Sequence, residues 1–538
     1  MDKIQENETS AGVEHKETTT EAGHTPKEAV AEAAAQGQGV SGDETLSVWE
    51  TARKFKMATF VCFMVTFSAA TDGYSIGMIG NIIANPGFVE QFGTETNAEG
   101  ELYLASPVLS GFNAIMSIGQ IIGMTGLSFL SQRFGRKAAM YAYWFFIALG
   151  VMFETIAKSW PLWLVGRLCC GIGVGCMQAT IPTYVSEVAP VRIRGALLMC
   201  YSVWFTVGQF FAPVALQIMS QTDEMDFRTP IYTQWSQVGL MILIYVFIPE
   251  SPAWCVSRGH EARAKKALKQ LHYEIDLHYH LLEINITHER AIAREQKSEH
   301  WYAIFHGRDR LRTITAMWTL LSQQFIGLGI FTVQVAYFFE QAGLDDPFEA
   351  TCIITGIGIF FSIVIVYLAD VTGRRWLACG GTTLCWLCTV AVGILGVVPS
   401  NSATNKLLVF FTVLWNIGLV GNGATGWGYI GEMSSQRLRP YTAGFAAAAS
   451  CVIGVGLGVL IPYMVNANQW GWGLKTGWFF AGLGLPFVVG MWWLIPETAG
   501  RSAAELDELF ESRIPAWRFH KTVTATQRLV ELNKTATE

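Results

Sequence analysis

Twelve long apolar stretches divide this chain, at about 57–82, 106–130, 138–157, 161–182, 195–219, 231–249, 313–339, 350–369, 376–398, 406–431, 441–465 and 474–495. A helix of roughly 20 such residues crosses a hydrocarbon layer about 30 Å thick. Inside lipid every backbone N–H and C=O must be satisfied within the segment, which leaves helices as the form for such runs. Composition agrees, because 51% of the 538 residues are hydrophobic and only 15% are charged, too few to clothe a soluble protein of this size. The expectation is an all-α membrane protein of twelve transmembrane helices.

The net charge of −6 hides an asymmetry between the two sets of connecting loops. One set carries Arg133, Arg136 and Lys137, then Arg192 and Arg194, Arg374 and Arg375, Arg437 and Arg439, and eleven Lys/Arg from Arg258 to Arg312. The loops at 83–105 and 340–349, in the other set, have several Glu and Asp and no Lys or Arg. The positive-inside rule then places both termini in the cytoplasm, and the plasma membrane is the expected location.

Residues 1–45 contain ten Asp/Glu, three Lys and no aromatic residue, a composition that cannot bury enough surface to fold. The domain reading is a disordered tail at 1–45, a six-helix bundle at 46–249, a cytoplasmic linker with short helices at 250–312, a second six-helix bundle at 313–495 and a tail at 496–538. The two bundles repeat one another. Arg133-Phe134-Gly135-Arg136 after span 2 matches Asp370-x2-Gly373-Arg374 after span 8. Glu187-x4-Arg192-x-Arg194 after span 4 matches Glu432-x4-Arg437-x-Arg439 after span 10, and Pro249-Glu250-Ser251 matches Pro496-Glu497-Thr498. Three ordered pairs at offsets of about 240 residues imply two pseudo-symmetric halves, an arrangement typical of transporters.

Each repeated motif sets carboxylates against guanidinium groups, which can form bidentate hydrogen bonds. If Glu187 and Glu432 engage arginines of neighbouring loops only while the cytoplasmic gate is shut, they form a latch. Alternatively, these arginines only hold topology.

Together, Gly-Arg-Lys, Glu-x4-Arg-x-Arg, Pro249-Glu250-Ser251-Pro252-Ala253-Trp254, Gly-Arg-Arg and Pro496-Glu497-Thr498-Ala499-Gly500-Arg501 resemble the sugar porters of the major facilitator superfamily (MFS), over about 50–515. Gln234-Trp235, Tyr463-Met464-Val465-Asn466 and Lys475-Thr476-Gly477 are most similar to fungal α-glucoside and other oligosaccharide permeases. The resemblance implies the MFS fold and a mid-membrane sugar site in which Gln323 and Gln324 match the family's paired glutamines and Trp427 its stacking tryptophan. Amides donate to and accept from hydroxyls, and an indole face suits the apolar side of a pyranose; interhelical bonding is the alternative role for the glutamines. The family's Asn in span 7 is Gly329 here and its Gln in span 5 is Ser202, so a wider, differently polar pocket is expected, with Gln209 as partial compensation.

Among residues deep in the spans, Asp72 and Arg167 are read as the only ionisable pair, and such residues default to function. Proton-coupled members resemble one another in having an Asp after Gly-Tyr in span 1, facing an Arg in span 4; here Gly73-Tyr74 precedes Ser75. Asp72 lies one turn deeper, about 4.5 Å on the helical rise, and is expected to reach Arg167 as a displaced proton carrier. Gln120 and Gln132 stand where acids are usual, which keeps facilitated uniport, polyol transport and sugar sensing with little transport open as alternatives.

The expected function is sugar transport by alternating access, for a hexose or a di- or oligosaccharide, in a monomer whose partners are the sugar, the lipid bilayer and protons. No enzyme chemistry, cofactor, metal or nucleic acid is expected. His272, His278 and His280 are read as lying on a solvated face of the linker.

Overall fold

Lipid-crossing helices must make their own hydrogen bonds, and most of the described residues do so in helices. The computed structural model describes residues 47–522 apart from 97–99, 101, 296–300, 306–308, 345, 400, 434–438, 467–468, 499–505, 507–508, 511 and 513. Nine helices among these residues are individually long and apolar enough to cross a membrane: Ser106–Phe134, Arg136–Ile156, Trp160–Val188, Arg194–Thr222, Pro347–Leu368, Arg374–Leu395, Ser402–Gly426, Gly444–Val465 and Gly473–Leu494. The other three spans of the twelve-helix fold are broken or less apolar. Span 1 divides into Lys56–Thr66 and Ser68–Ile82. Span 6 is Arg228–Phe247. Span 7 runs as Asp309–Phe325, a π-helical turn at Gly329–Val333 and Val335–Gln341. The freed carbonyl of Ile326 at that break accepts from Thr389 Oγ1 and Trp415 Nε1, each at 3.1 Å, which is how a break is tolerated at membrane depth.

The two ends of the molecule are built differently. At the end bearing the acidic loops, one apolar cluster runs through both halves, joining Met78, Ile79 and Ile82 of span 1 to Ile330, Phe331 and Val335 of span 7. Span 1 presses so closely there that a Cβ on Gly80 would fall on the Val333 carbonyl; only glycine fits such a crossing. Ser110 Oγ donates to Val459 O at 2.9 Å, and Asn466 Nδ2 to Ser106 Oγ at 3.4 Å, both across the halves. Toward the basic end most of the core separates into one cluster within the first half and another within the second, joined by a small cluster of Met124 with Ala316, Leu320, Ala446 and Ala447. The acidic end is therefore closed by contacts between the halves.

Between spans 6 and 7 the linker forms short helices at Pro252–Ser257, Glu261–Gln270 and Ile275–Glu295. They anchor to the first half through Tyr273 Oη, which donates to Val188 O at 2.9 Å. His278 differs from the sequence expectation. Its ring packs against Tyr273 at 4.6 Å and Phe55 at 5.9 Å, because the helix turns this face onto the start of span 1 rather than to solvent.

Candidate functional site

At the basic end, each half contains the same carboxylate-capped turn. Gly135 and Gly373 take φ of +110° and +88°, and a Cβ on either would fall on the carboxylate of Glu250 or Glu497. The position admits only glycine for both reasons. Glu250 Oε1 accepts from Arg136 N at 2.9 Å and Lys137 N at 3.2 Å. In the second half Glu497 accepts from Arg374 N at 2.9 Å and Arg375 N at 3.1 Å. Each carboxylate thus caps the orphan donors at the start of the next span, where the helix dipole favours negative charge. Burial pushes the Glu250 carboxyl above its ordinary value, opposed by the N–H groups of Ser251, Lys137 and Arg136.

Glu187 receives Arg136 in a fork, Nη2 to Oε1 at 2.6 Å and Nε to Oε2 at 3.1 Å, and also Ser251 Oγ at 2.6 Å. This pair lies wholly inside the first half and is intact with the acidic end closed. Glu187 therefore braces its own bundle. The reach across the halves comes instead from Arg374, whose Nη2 lies 2.9 Å from where a Cβ on Gly195 would stand. Arg192 is exposed, Arg194 is half-buried, and exposed Arg133 lies over the Phe134 ring. Arg437 falls outside the described residues, and of Asp370, Trp427, Glu432 and Arg439 the backbone alone is described.

Midway along the molecule, Gln323 and Gln324 are half-buried on span 7. Gln323 Nε2 donates to Asn422 Oδ1 of span 10 at 3.0 Å, and Gln324 Nε2 to Ser450 Oγ of span 11 at 3.3 Å. Asn422 in turn donates to Ser322 Oγ at 3.1 Å and to Thr382 Oγ1. The glutamines make interhelical bonds through their N–H groups, and neither Oε1 accepts a bond among the described residues. Ser202 is half-buried on span 5 and Gln209 is buried, two turns along. At Gly329, where the sequence leads to a wider pocket, a Cβ would fall on Ile461 Cδ1 of span 11, so an apolar side chain stands in the space beside it.

The buried charges are arranged differently from the expectation as well. Arg167, fully buried, donates through Nη1 to Glu154 Oε1 at 3.1 Å, and also meets Ser75 Oγ at 3.3 Å and Ser75 O at 3.2 Å. Gln234 Nε2 of span 6 donates to Glu154 Oε2 at 3.3 Å. Asp72 takes no part. It accepts from Gln178 Nε2 at 2.9 Å and Tyr201 Oη at 3.3 Å through Oδ2, while its Oδ1 has no partner. The expected Asp72–Arg167 pair is replaced because Glu154, on span 3, reaches the guanidinium first. The sequence alone does not mark Glu154, because it stands within one turn of that span's end, where a carboxylate ordinarily reads as interfacial.

Residues 61–510 match the sequence profile of the family described as "Sugar (and other) transporter". The chain belongs to that family. Among its relatives, the MFS transporter fmqE of Aspergillus fumigatus is 29% identical, the alignment covering 90% of this chain and 93% of that one. The general α-glucoside permease of Saccharomyces cerevisiae is 27% identical over 90% of this chain and 80% of its own. A solved structure of the proton:xylose symporter XylE bound to 6-bromo-6-deoxy-D-glucose superposes with a TM-score of 0.68 at 21% identity, covering 84% of this chain and 99% of XylE. A partially occluded, inward-open form of XylE from E. coli gives 0.64. This sugar porter therefore has the twelve-helix, two-bundle MFS fold.

Proposed function

We propose that this sugar porter carries a neutral sugar, a hexose or a di- or oligosaccharide, across the plasma membrane by alternating access, as a monomer with both termini in the cytoplasm. The observation that carries the substrate class is the pair of unengaged Gln323 and Gln324 carbonyls held in place by Asn422 and Ser450. Fixed acceptors midway along the spans suit hydroxyl donors, and Trp427 on the adjoining span 10 is assigned to stack on the ring. An anionic substrate would want an uncompensated cation at this depth. The buried Arg167 is already neutralised by Glu154.

Proton coupling is assigned to Asp72, a fully buried carboxylate with one oxygen free of protein partners, with Arg167 acting through the bundle rather than by direct pairing. Facilitated uniport is the second reading. It is favoured by the same observation that removes Arg167 from Asp72. Gating falls to the basic-end network, in which Arg136–Glu187, Glu250 and Glu497 stiffen each half while Arg374 bridges them.

The test is uptake of labelled glucose, maltose, cellobiose and lactose into vesicles, with and without a pH gradient, for the native chain and Asp72→Asn. Gradient-driven accumulation that vanishes in Asp72→Asn while exchange persists supports the assignment. Identical curves for the two proteins remove Asp72 from coupling, and a native chain indifferent to the gradient leaves uniport.

A further inference from the structure

Toward the acidic end from the glutamine pair, a narrow space opens between the halves. Its walls are Asn81 of span 1, Gln209 of span 5, Phe331 and Thr332 of span 7, Thr355 of span 8 and Asn416 of span 10. Asn416 stands about 9 Å along the helical rise from Asn422, so the space lies beyond the central site on the outer side.

Three of its polar atoms are unsatisfied. Asn81 is 1% exposed and Asn416 5%, yet Asn81 Oδ1, Asn416 Oδ1 and Thr332 Oγ1 have no hydrogen-bond partner. Buried acceptors of this kind are costly and uncommon, and three of them line one small space. A gate that merely had to seal would be built from the apolar residues that surround it, Ile79, Ile82 and Val335. In the closed arrangement the space admits about a water molecule and no sugar ring. Because its walls belong to both halves, they part when the acidic end opens, and the same amides and hydroxyls then face incoming solute beside the Phe331 ring. Amide donors and acceptors next to an aromatic face are the complement of a pyranose.

We propose that this space is an outer subsite, which in the outward-open state holds the second ring of a disaccharide whose first ring occupies Gln323 and Gln324. The proposal rests on the sugar reading of the central site and extends it to a two-ring substrate. Closure of span 1 on span 7 at Gly80 then squeezes the outer ring from its place, driving the substrate inward.

The experiment measures half-saturation from the outside for labelled maltose and labelled glucose, in intact cells, for the native chain and two variants. Asn416→Ala is expected to raise the value for maltose by about tenfold, the upper range for one lost hydrogen bond, and to leave the value for glucose within about twofold. Thr355→Val keeps the volume, guarding against misfolding of the first variant, and is expected to give about threefold for maltose alone. Equal changes for both sugars, or none for either, overturn the subsite. A native chain that takes up glucose and none of maltose, cellobiose and lactose overturns the subsite and leaves the sugar reading standing; uptake of none of the four refutes the sugar reading, and the subsite with it.

Discussion

The Glu154–Arg167 pair permits the sharpest prediction. Both side chains are completely buried, and among the described residues Glu154 is the one carboxylate bonded to Arg167; its other partners, Ser75 and Met116 Sδ, are neutral. At an effective dielectric of about 20, the attraction over the observed 3.1 Å amounts to about 5 kcal/mol. Replacing Glu154 by Gln keeps the shape and the contact with Gln234 but strands the guanidinium. The expected loss is about 3 to 5 kcal/mol, a large part of the margin of about 5 to 15 kcal/mol on which folded proteins survive. Arg167→Met is expected to lose a similar amount. The double variant, with no buried charge left, should recover most of it, within about 2 kcal/mol of the native protein. Thermal unfolding of purified protein in detergent, across this double-mutant cycle, reads both numbers. A Glu154→Gln protein within about 1 kcal/mol of native, or a double variant no better than either single one, would falsify the claim that these two groups neutralise each other.

Two further outcomes follow from the geometry. Gly135→Ala and Gly373→Ala each force a left-handed residue onto a carboxylate, and each should cost about 1 to 3 kcal/mol in the same melt; a silent Gly373→Ala alongside a damaging Gly135→Ala would break the pseudo-symmetry argument. Gln323→Leu removes a central acceptor and should raise half-saturation for glucose and maltose alike, by about tenfold, in contrast with the maltose-specific effect expected at Asn416; unchanged values for both sugars remove Gln323 from the site.

What the sequence makes legible follows from how local each feature is. The twelve spans are visible because lipid demands continuous apolar runs. The capped turns are visible because Gly135 and Gly373, with Glu250 and Glu497, recur in order within each half. Neither requires knowing how helices face one another. The break in span 7 is less legible, since its apolar run is continuous through Gly329–Val333 and the carbonyl it frees is satisfied by Thr389 and Trp415, distant in sequence. The same limit explains Gly329, where the residue that stands in the space beside it, Ile461, lies in span 11.

The pairing of buried charges is the case where sequence distance misleads most. The sequence pairs Asp72 with Arg167 because the helical rise sets them within one turn of each other in depth, a gap an arginine side chain spans, but depth is one coordinate of three. Rotation about each helix decides the rest, and it turns Asp72 toward Gln178 and Tyr201 while Arg167 meets spans 1, 2 and 3. The consequence is functional. With Arg167 neutralised inside the first bundle, a positive charge no longer offsets Asp72 directly, so whatever coupling Asp72 provides depends on Gln178 and Tyr201, two neutral groups on spans 4 and 5. Span 5 also carries Ser202 and Gln209, the latter in the wall of the outer space. Movement of that one helix would therefore disturb the carboxylate and the proposed substrate path together, a route by which proton and sugar can be linked with no ion pair between them.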